Sequence, residues 1–462
     1  MPSMAKLWEK TYSLDALMEA FTVGNDHVLD ARLVNADCVA SMAHAKMLSS
    51  IGILSKPECD SLMKELAGII HLNAEGKFSI SRSDEDVHTA IENHLVRALG
   101  DTGKRIHAGR SRNDQVLAAL RLWSRGFLFT FQDACLGLIS RLLDFAETHA
   151  RVPMPGRTHT QLAMPSSVGL WAGAFAEELL DDAALARGAF SILDCCPLGS
   201  AASYGSPLPA NREMVAELLG FSRVQNNVLY ANNSRGKFES IALDAVEQTA
   251  LTLSKMAQDL ILFSLPEFGY FTLPLELCTG SSMMPQKRNP DGLELVRAKS
   301  AAISADVLAI KTMIRSLPTG YNRDFQETKG PFFSGCEAGL GCVRIMDLTF
   351  EKLVVNAEKL RAGFQPEIFA TDKALELAAG GMPFRDAYKE VGASLQTLAS
   401  RDPVEAIEKK KSTGSTGNLR LDVPRGQAAE HRAWKESQEK LKSEKVARLA
   451  GSAVELFRDP LT

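Results

Sequence analysis

The stretch GKFESIALDAVEQTALTLSKMAQDLILFSL, residues 236–265, carries the helical pattern that decides the fold. Apolar side chains recur along it at spacings of three and four residues, at Leu243, Val246, Ala250, Leu253, Ala257 and Leu260. That period places one apolar stripe along a single face of an α-helix. At about 1.5 Å per residue the helix reaches about 40 Å, so the stretch predicts an elongated helical bundle.

Four other segments share this periodicity and contain few helix breakers; they are roughly 115–150, 166–194, 290–317 and 333–362. Strand signals are few, and no strand–helix alternation typical of a dinucleotide-binding fold occurs. The predicted class is therefore mainly α. Several helices carry apolar residues beyond one stripe, as in VGLWAGAFAEELL at 168–180. We expect this second apolar face to be buried against another subunit.

The regions on either side of the bundle have a different pattern. A polar helical region precedes it, and ATDKALELAAGGMPFRDAYKEVG at 370–392 predicts two helices separated by a Gly-Gly pair and Pro383. Three domains are predicted: an N-terminal helical domain at 1–110, a central long-helix bundle with catalytic loops at 111–364, and a small C-terminal helical domain at 365–462.

Bulk composition excludes several classes of protein. The 462 residues include 52 basic and 56 acidic ones for a net charge of −4, so no global field favours nucleic acid or an anionic membrane. The 8 cysteines form no C-x-x-C pair, which indicates neither a zinc site nor a disulfide framework. The amino terminus lacks a signal-peptide core, and no uncharged apolar run of about 18 residues follows. We expect a soluble cytoplasmic protein.

Four polar segments interrupt the helical pattern: HAGRSRNDQV at 107–116, GRTHTQLAMP at 156–165, GSSMMPQKRNP at 280–290 and GYNRDFQETKGP at 320–331. A helix cannot run through the third, because each proline lacks an amide hydrogen and disfavours helix at the residue before it. Each segment alone also fits a capped helix start or a solvated turn. Their number in one chain favours ligand-binding loops.

The residue types in these loops suit an anionic ligand. Arg112 stands beside a predicted helix start, where arginine can clamp a carboxylate and free backbone amides attract anions. Further donors are Lys287, Tyr321, Gln326 and Lys329. His159 lies between two threonines that could orient it for proton transfer, although a lone histidine is more often structural. The phosphate-loop spacing G-x-x-x-x-G-K-[ST] is absent, so no nucleotide loop is predicted.

GSSMMPQKRNP resembles the signature loop of the fumarase/aspartase superfamily, lyases that expel a group from a succinyl unit and leave fumarate. HAGRSRNDQ, RTHTQLAMP, PLGSAASYGSPLPANRE, TGSSMMPQKRNPD and YNRDFQETK follow in the order of its argininosuccinate lyase branch. AHAKML and GMPFRDAYKEVG extend the resemblance over almost the whole chain.

The resemblance implies a lyase-1-like subunit of three mainly helical domains, whose long helices form the multi-helix core of a homotetramer. Each active site would be assembled from loops of three subunits. The implied reaction is the reversible cleavage of argininosuccinate into L-arginine and fumarate, as in arginine biosynthesis. The resemblance implies no cofactor and no metal.

It also implies roles for individual residues. Ser281 matches the position of the base, and Lys287 and Asn289 match loop positions that hold the reacting carboxylate. His159 matches an active-site histidine, and Glu294 matches the acid that pairs with it. The substrate-binding residues predicted in this way are Asp86, His88, Arg112, Asn113, Thr158, Asn289, Tyr321, Gln326 and Lys329.

The chemistry explains why such residue types are needed. A proton must leave the carbon beside a carboxylate, so negative charge accumulates there and needs preorganised donors or cations. A serine hydroxyl is too weak an acid to ionise unaided, so backbone amides, a cation or both must stabilise its alkoxide. A mobile loop can supply that environment once substrate is bound.

Two parts of the sequence depart from the family pattern. WEKTY and FTVGNDHVLDARL replace the commoner WGGRF and FNxSxxxD, which leaves no secure counterpart for a substrate-binding serine there. Arg157 and Thr160 replace the usual aromatic residue and leucine around His159. Two alternatives therefore stay open: a sibling such as adenylosuccinate lyase, and a catalytically silent, crystallin-like helical scaffold. RSRNDQ and PQK favour the argininosuccinate branch over its siblings.

Overall fold

The computed structural model describes residues 15–460, and most of them are helical. The segment WEKTY and most of the charged amino terminus lie outside the described residues. The α-helices are α1 Ala16–Val23, α2 Asp26–Leu29, α3 Val34–Ser50, α4 Lys56–Ala74, α5 Val87–Leu99, α6 Asp101–Arg105, α7 Arg112–Thr148, α8 Val168–Leu193, α9 Arg212–Leu218, α10 Val228–Asn233, α11 Lys237–Phe263, α12 Asp291–Ile314, α13 Lys329–Lys352, α14 Ala357–Ala362, α15 Ala370–Ala379, α16 Phe384–Ala393, α17 Pro403–Glu408 and α18 Asp422–Ala450.

Five of these helices form the bundle, which confirms the mainly α prediction. α11 packs on α8, α12 and α13, and α7 packs on α8 and α13. The stripe predicted on α11 is buried, with Leu243, Val246 and Leu260 fully inaccessible. Gly339 lets α13 approach α11 closely, because a Cβ at this position would overlap Val246. The prediction at 333–362 differs from the structure, since α13 ends at Lys352 and a short strand separates it from α14.

Among residues 15–460, three small two-stranded sheets accompany the helices. β1 Pro153–Thr158 and β2 Gln161–Ser167 form an antiparallel hairpin between α7 and α8. β3 Cys195–Cys196 pairs in parallel with β4 Arg223–Val224, and β5 Phe271–Thr272 pairs antiparallel with β6 Val354–Val355. The segment 156–165 was expected to be a loop, but most of it belongs to the strands of this hairpin. The strands can contain prolines because these occupy positions that donate no ladder hydrogen bond.

The carboxyl-terminal region divides between two packing environments. α15 and α16 form a helix pair, as predicted, and their buried residues make a small separate cluster. α18 instead packs on α7 and α8 within the main core. Beyond α18, Phe457 is buried against Trp123, with 5.2 Å between the ring centroids. The expected domain boundaries at residues 110 and 364 stay a prediction.

One face of α12 exposes apolar side chains. Leu295 is 55% exposed and Leu308 is 60% exposed. The α12 strip is the exposed set Leu295, Ala298, Ala301, Ala302, Ala305 and Leu308. α7 is a different case: within residues 15–460 it alone is long and apolar enough to cross a membrane, yet 61% of its most apolar window is buried inside the molecule.

Candidate active site

A cleft opens where the bundle meets the amino-terminal helices, and it encloses about 110 Å³. Seven of the predicted site residues line this amino-terminal cleft: Asp86, His88, Arg112, Asn113, Tyr321, Gln326 and Lys329. The other lining residues are Asp26, Asp30, Glu85, Val116, Arg235 and Arg323. Five separate stretches of sequence therefore meet at one end of the bundle, at 26–30, 85–88, 112–116, 235 and 321–329.

Two helix starts place charged groups at the cleft. Asp86 caps α5 by accepting a hydrogen bond from the Thr89 amide at 2.8 Å, and its Oδ2 accepts one from Arg112 Nη1 at 2.8 Å. Burial alone raises the pKa of Asp86, but His88, Arg112 and Thr89 together hold it below its ordinary value. Asn113 follows Arg112 in the first turn of α7, which Ser111 caps. The caps thus fix the backbone that presents these side chains.

Lys329 lies deep in the cleft between two carboxylates. It is 2% exposed, and its Nζ is 2.6 Å from Asp26 Oδ1 and 2.5 Å from Asp30 Oδ1. Burial raises the pKa of Asp26 to about 6, although Lys329 opposes that rise. The sequence predicts Lys329 as a donor to an anionic ligand; in the structure its ammonium group has two internal partners, Asp26 and Asp30. The two acids, four residues apart in DHVLD, were the signal that sequence reasoning missed.

The loop before α13 contributes donors that hold the chain's own backbone. Gln326 Nε2 donates to the Thr22 carbonyl at 3.1 Å, and Arg323 Nη2 donates to the same oxygen at 2.7 Å. Tyr321 is 41% exposed at the cleft edge. The two donors therefore tie α1 to the cleft in this structure.

The remaining predicted residues lie elsewhere, beginning with the hairpin β1–β2. Thr158 pairs with Gln161, and His159 and Thr160 form its two-residue turn with φ of 53° and 62°. Positive φ is strained for a β-branched threonine. Arg157 supports the turn, because its Nη1 donates to the Thr160 carbonyl at 2.8 Å and its guanidinium lies 4.8 Å from the Phe268 ring centroid. The His159 side chain is exposed.

The loop 280–290 surrounds Ser281 with backbone donors. Ser281 Oγ accepts hydrogen bonds from the amides of Met283 at 3.2 Å and Met284 at 3.1 Å. Thr279 and Asn289 close the base of the loop through two backbone hydrogen bonds of 3.2 and 2.9 Å. Two amides directed at one hydroxyl oxygen are an arrangement that stabilises negative charge on it.

Asn289 has a structural position in this loop. Its Nδ2 donates to the Gly280 carbonyl at 3.2 Å. Lys287 and Glu294 line a neighbouring hollow, and both side chains are exposed. Among residues 15–460, no hydrogen bond or ion pair joins Glu294 to His159, the pair that the resemblance predicted.

The two groups of predicted residues lie at opposite ends of the bundle. α7 starts at the cleft and ends five residues before β1; its 37 residues span about 55 Å. α12 starts just after the loop 280–290 and ends before Tyr321; its 24 residues span about 35 Å. Arg157 joins the hairpin to Phe268 on the loop side. We call the hairpin and the loop 280–290 together the loop end.

The chain is similar to proteins of known activity. A family model for lyases matches residues 9–304. Argininosuccinate lyase of Thermotoga neapolitana is 45% identical over 84% of this chain and 97% of its own. The same enzyme of Sorangium cellulosum is 42% identical over 90% of this chain and 97% of its own.

Solved structures show the same fold at lower identity. EDDS lyase in complex with formate has a TM-score of 0.80 at 21% identity, with 95% of each chain covered. Class II fumarase from Schistosoma mansoni has a TM-score of 0.69 at 17% identity, covering 84% of this chain and 94% of its own. These structures share the fold, and the sequence relatives and the family model show that the chain belongs to the argininosuccinate lyase family.

Proposed function

We propose that the protein cleaves argininosuccinate to L-arginine and fumarate, with Ser281 as the base. The observation that supports the chemistry is the pair of amides donating to Ser281 Oγ. Argininosuccinate as the substrate is supported by the relatives, which are named argininosuccinate lyases. The reaction removes a proton from the succinyl carbon beside a carboxylate and expels the guanidino nitrogen, which leaves the double bond of fumarate.

Each end of the bundle would have its own task. Lys287 would stabilise the charge that develops on the reacting carboxylate, and His159 would help to protonate the departing guanidino group. Asn289 would act by holding the loop base closed. The amino-terminal cleft offers alternating carboxylates and cations, a charge pattern that suits the amino and carboxylate groups of an amino acid.

We further propose that the active site is shared between subunits of a homotetramer. A rigid bundle keeps the cleft and the loop end about 35 to 55 Å apart in one chain, too far for one small substrate. Antiparallel packing of neighbouring bundles would bring the cleft of one subunit to the loop end of another. The α12 strip supports such packing, because contiguous exposed apolar surface marks an interface.

The direct test is fumarate formation, followed by ultraviolet absorbance, when purified protein receives argininosuccinate or, separately, adenylosuccinate. We expect cleavage of argininosuccinate alone. Cleavage of adenylosuccinate alone would overturn the substrate assignment and keep the reaction class. A folded oligomer that is inactive on both would favour another leaving group or the silent helical scaffold.

A further inference from the structure

Asp37 lies behind the amino-terminal cleft, and no sequence motif marks it. It is on α3, has 0% exposed surface, and its Oδ2 is 3.1 Å from His88 Nδ1. His88 lines the cleft, whereas Asp37 does not. The carboxylate therefore contacts the edge of the imidazole that faces away from the cleft.

The other edge of the ring has no protein partner. His88 is 4% exposed, and its buried Nε2 makes no hydrogen bond with any described residue. A buried polar atom without a partner is costly, so its presence beside a cleft indicates a ligand. Because Asp37 accepts the Nδ1 proton, the ring is held with Nε2 directed to that ligand.

The groups around His88 determine its charge. Burial alone lowers the pKa of His88, but Asp37, Asp86 and Asp30 together raise it above its ordinary value. The charged or titratable neighbours of His88 are Asp37 on α3, Asp30 after α2, Asp86 before α5 and His107 before α7. Arg110 and Arg112 interact with two of these carboxylates, Asp37 and Asp86 respectively. The three carboxylates favour the doubly protonated ring, whose Nε2–H is a donor.

We propose that Asp37 is a positioning residue that holds His88 as an imidazolium, whose Nε2–H donates to a carboxylate of the substrate. The inference rests on the proposed function, because it assigns one contact of that substrate. Asp37 itself touches no substrate atom and acts only through the ring.

Asp37→Asn removes the negative charge at this position and keeps the size and shape of the side chain. The asparagine Oδ1 still accepts from Nδ1–H, so the ring keeps its place, but the pKa of His88 falls. The imidazolium exists below that pKa, so substrate binding weakens as the pH rises through it. In the variant this weakening begins at a lower pH. Near pH 7.5 we expect KM for argininosuccinate to rise about tenfold, with kcat little changed, because a charged donor becomes a neutral group.

Two further variants sharpen the test. Asp37→Glu keeps the carboxylate and should retain the wild-type pH profile of KM. Asp182→Asn is the matched control, because Asp182 is also buried, 7% exposed, but accepts from Thr252 in the bundle interior. It should leave the KM profile unchanged. If Asp37 had a purely structural role, Asp37→Asn would lower thermal stability and leave the pH dependence of KM unchanged.

His88 can also be titrated without any turnover. Carbon-13 NMR of the histidine-labelled oligomer, with His88→Gln to assign the resonance, should show a lower pKa in Asp37→Asn than in the wild type. An unchanged His88 titration would overturn the inference. Because this readout needs no substrate, a wild type that fails to cleave argininosuccinate would contradict the proposed function and leave the effect of Asp37 on His88 measurable.

Discussion

The amino-terminal cleft and the loop end differ in how their charged side chains are partnered. In the cleft, Lys329 lies between Asp26 and Asp30, and Arg112 contacts Asp86. At the loop end, the side chains of Lys287 and His159 are exposed and make no hydrogen bond or ion pair within residues 15–460. The charged groups of the cleft are thus held in place by internal ion pairs, whereas under the proposed shared site substrate or a neighbouring subunit would complete the surroundings of the loop end.

The largest effect is expected from Ser281→Ala at the loop end. Removing a base should lower kcat by about 10²–10⁴-fold while KM changes little, because the cleft is intact. Steady-state fumarate formation and substrate binding by calorimetry measure the two separately. Ser282→Ala, at the exposed neighbouring serine, is the control and should lose far less activity. Equal losses in both variants would show that the loop conformation matters and not the Ser281 hydroxyl.

A smaller effect is expected from Arg157→Ala, which removes the support of the strained hairpin turn. His159 should keep its chemistry but lose its position, so kcat should fall about tenfold with little change in melting temperature. The matched control is Arg223→Ala, because this exposed arginine also donates to backbone carbonyls, of Ser191 and Ile192, each at 3.2 Å. Equal activities of both variants would show that Arg157 does not position His159 for catalysis.

The smallest effect on activity is expected between the two ends, at Asp182. Burial raises the pKa of this carboxyl from 3.8 to about 6. Its ionised form therefore destabilises the fold above about pH 6, and the penalty fades as the pH falls toward 4. Asp182→Asn should stabilise the protein by roughly 2 kcal/mol more near pH 8 than near pH 4.5. Thermal unfolding at the two pH values measures this, and kcat should stay unchanged.

The helical bundle was predictable because its signal is local. The stripe from Leu243 to Leu260 has one period and one buried face, and the structure contains that helix within two residues of its predicted ends. The hairpin at His159 was missed, because its turn relies on Arg157 reaching both the Thr160 carbonyl and the distant Phe268 ring. Such tertiary support overrides the local preferences of threonine and histidine.

The candidate site was predictable as residue types but not as geometry. The resemblance predicted both Lys329 and Ser281, yet it could not show that Lys329 is enclosed by Asp26 and Asp30. Asp37 carries no motif at all, and its importance depends on a contact with His88 across 51 sequence positions. Long-range pairings of buried charges leave no periodic pattern in a single sequence.

Subunit complementation tests the shared site most directly. Ser281→Ala disables the loop end, and Asn113→Leu fills the cleft, so each variant alone should be nearly inactive. Coexpressed with different affinity tags and purified through both, the hybrids should regain substantial cleavage of argininosuccinate, because some sites combine an intact cleft with an intact loop end. Hybrids that contain both subunits and stay as inactive as the parent variants would contradict the shared site.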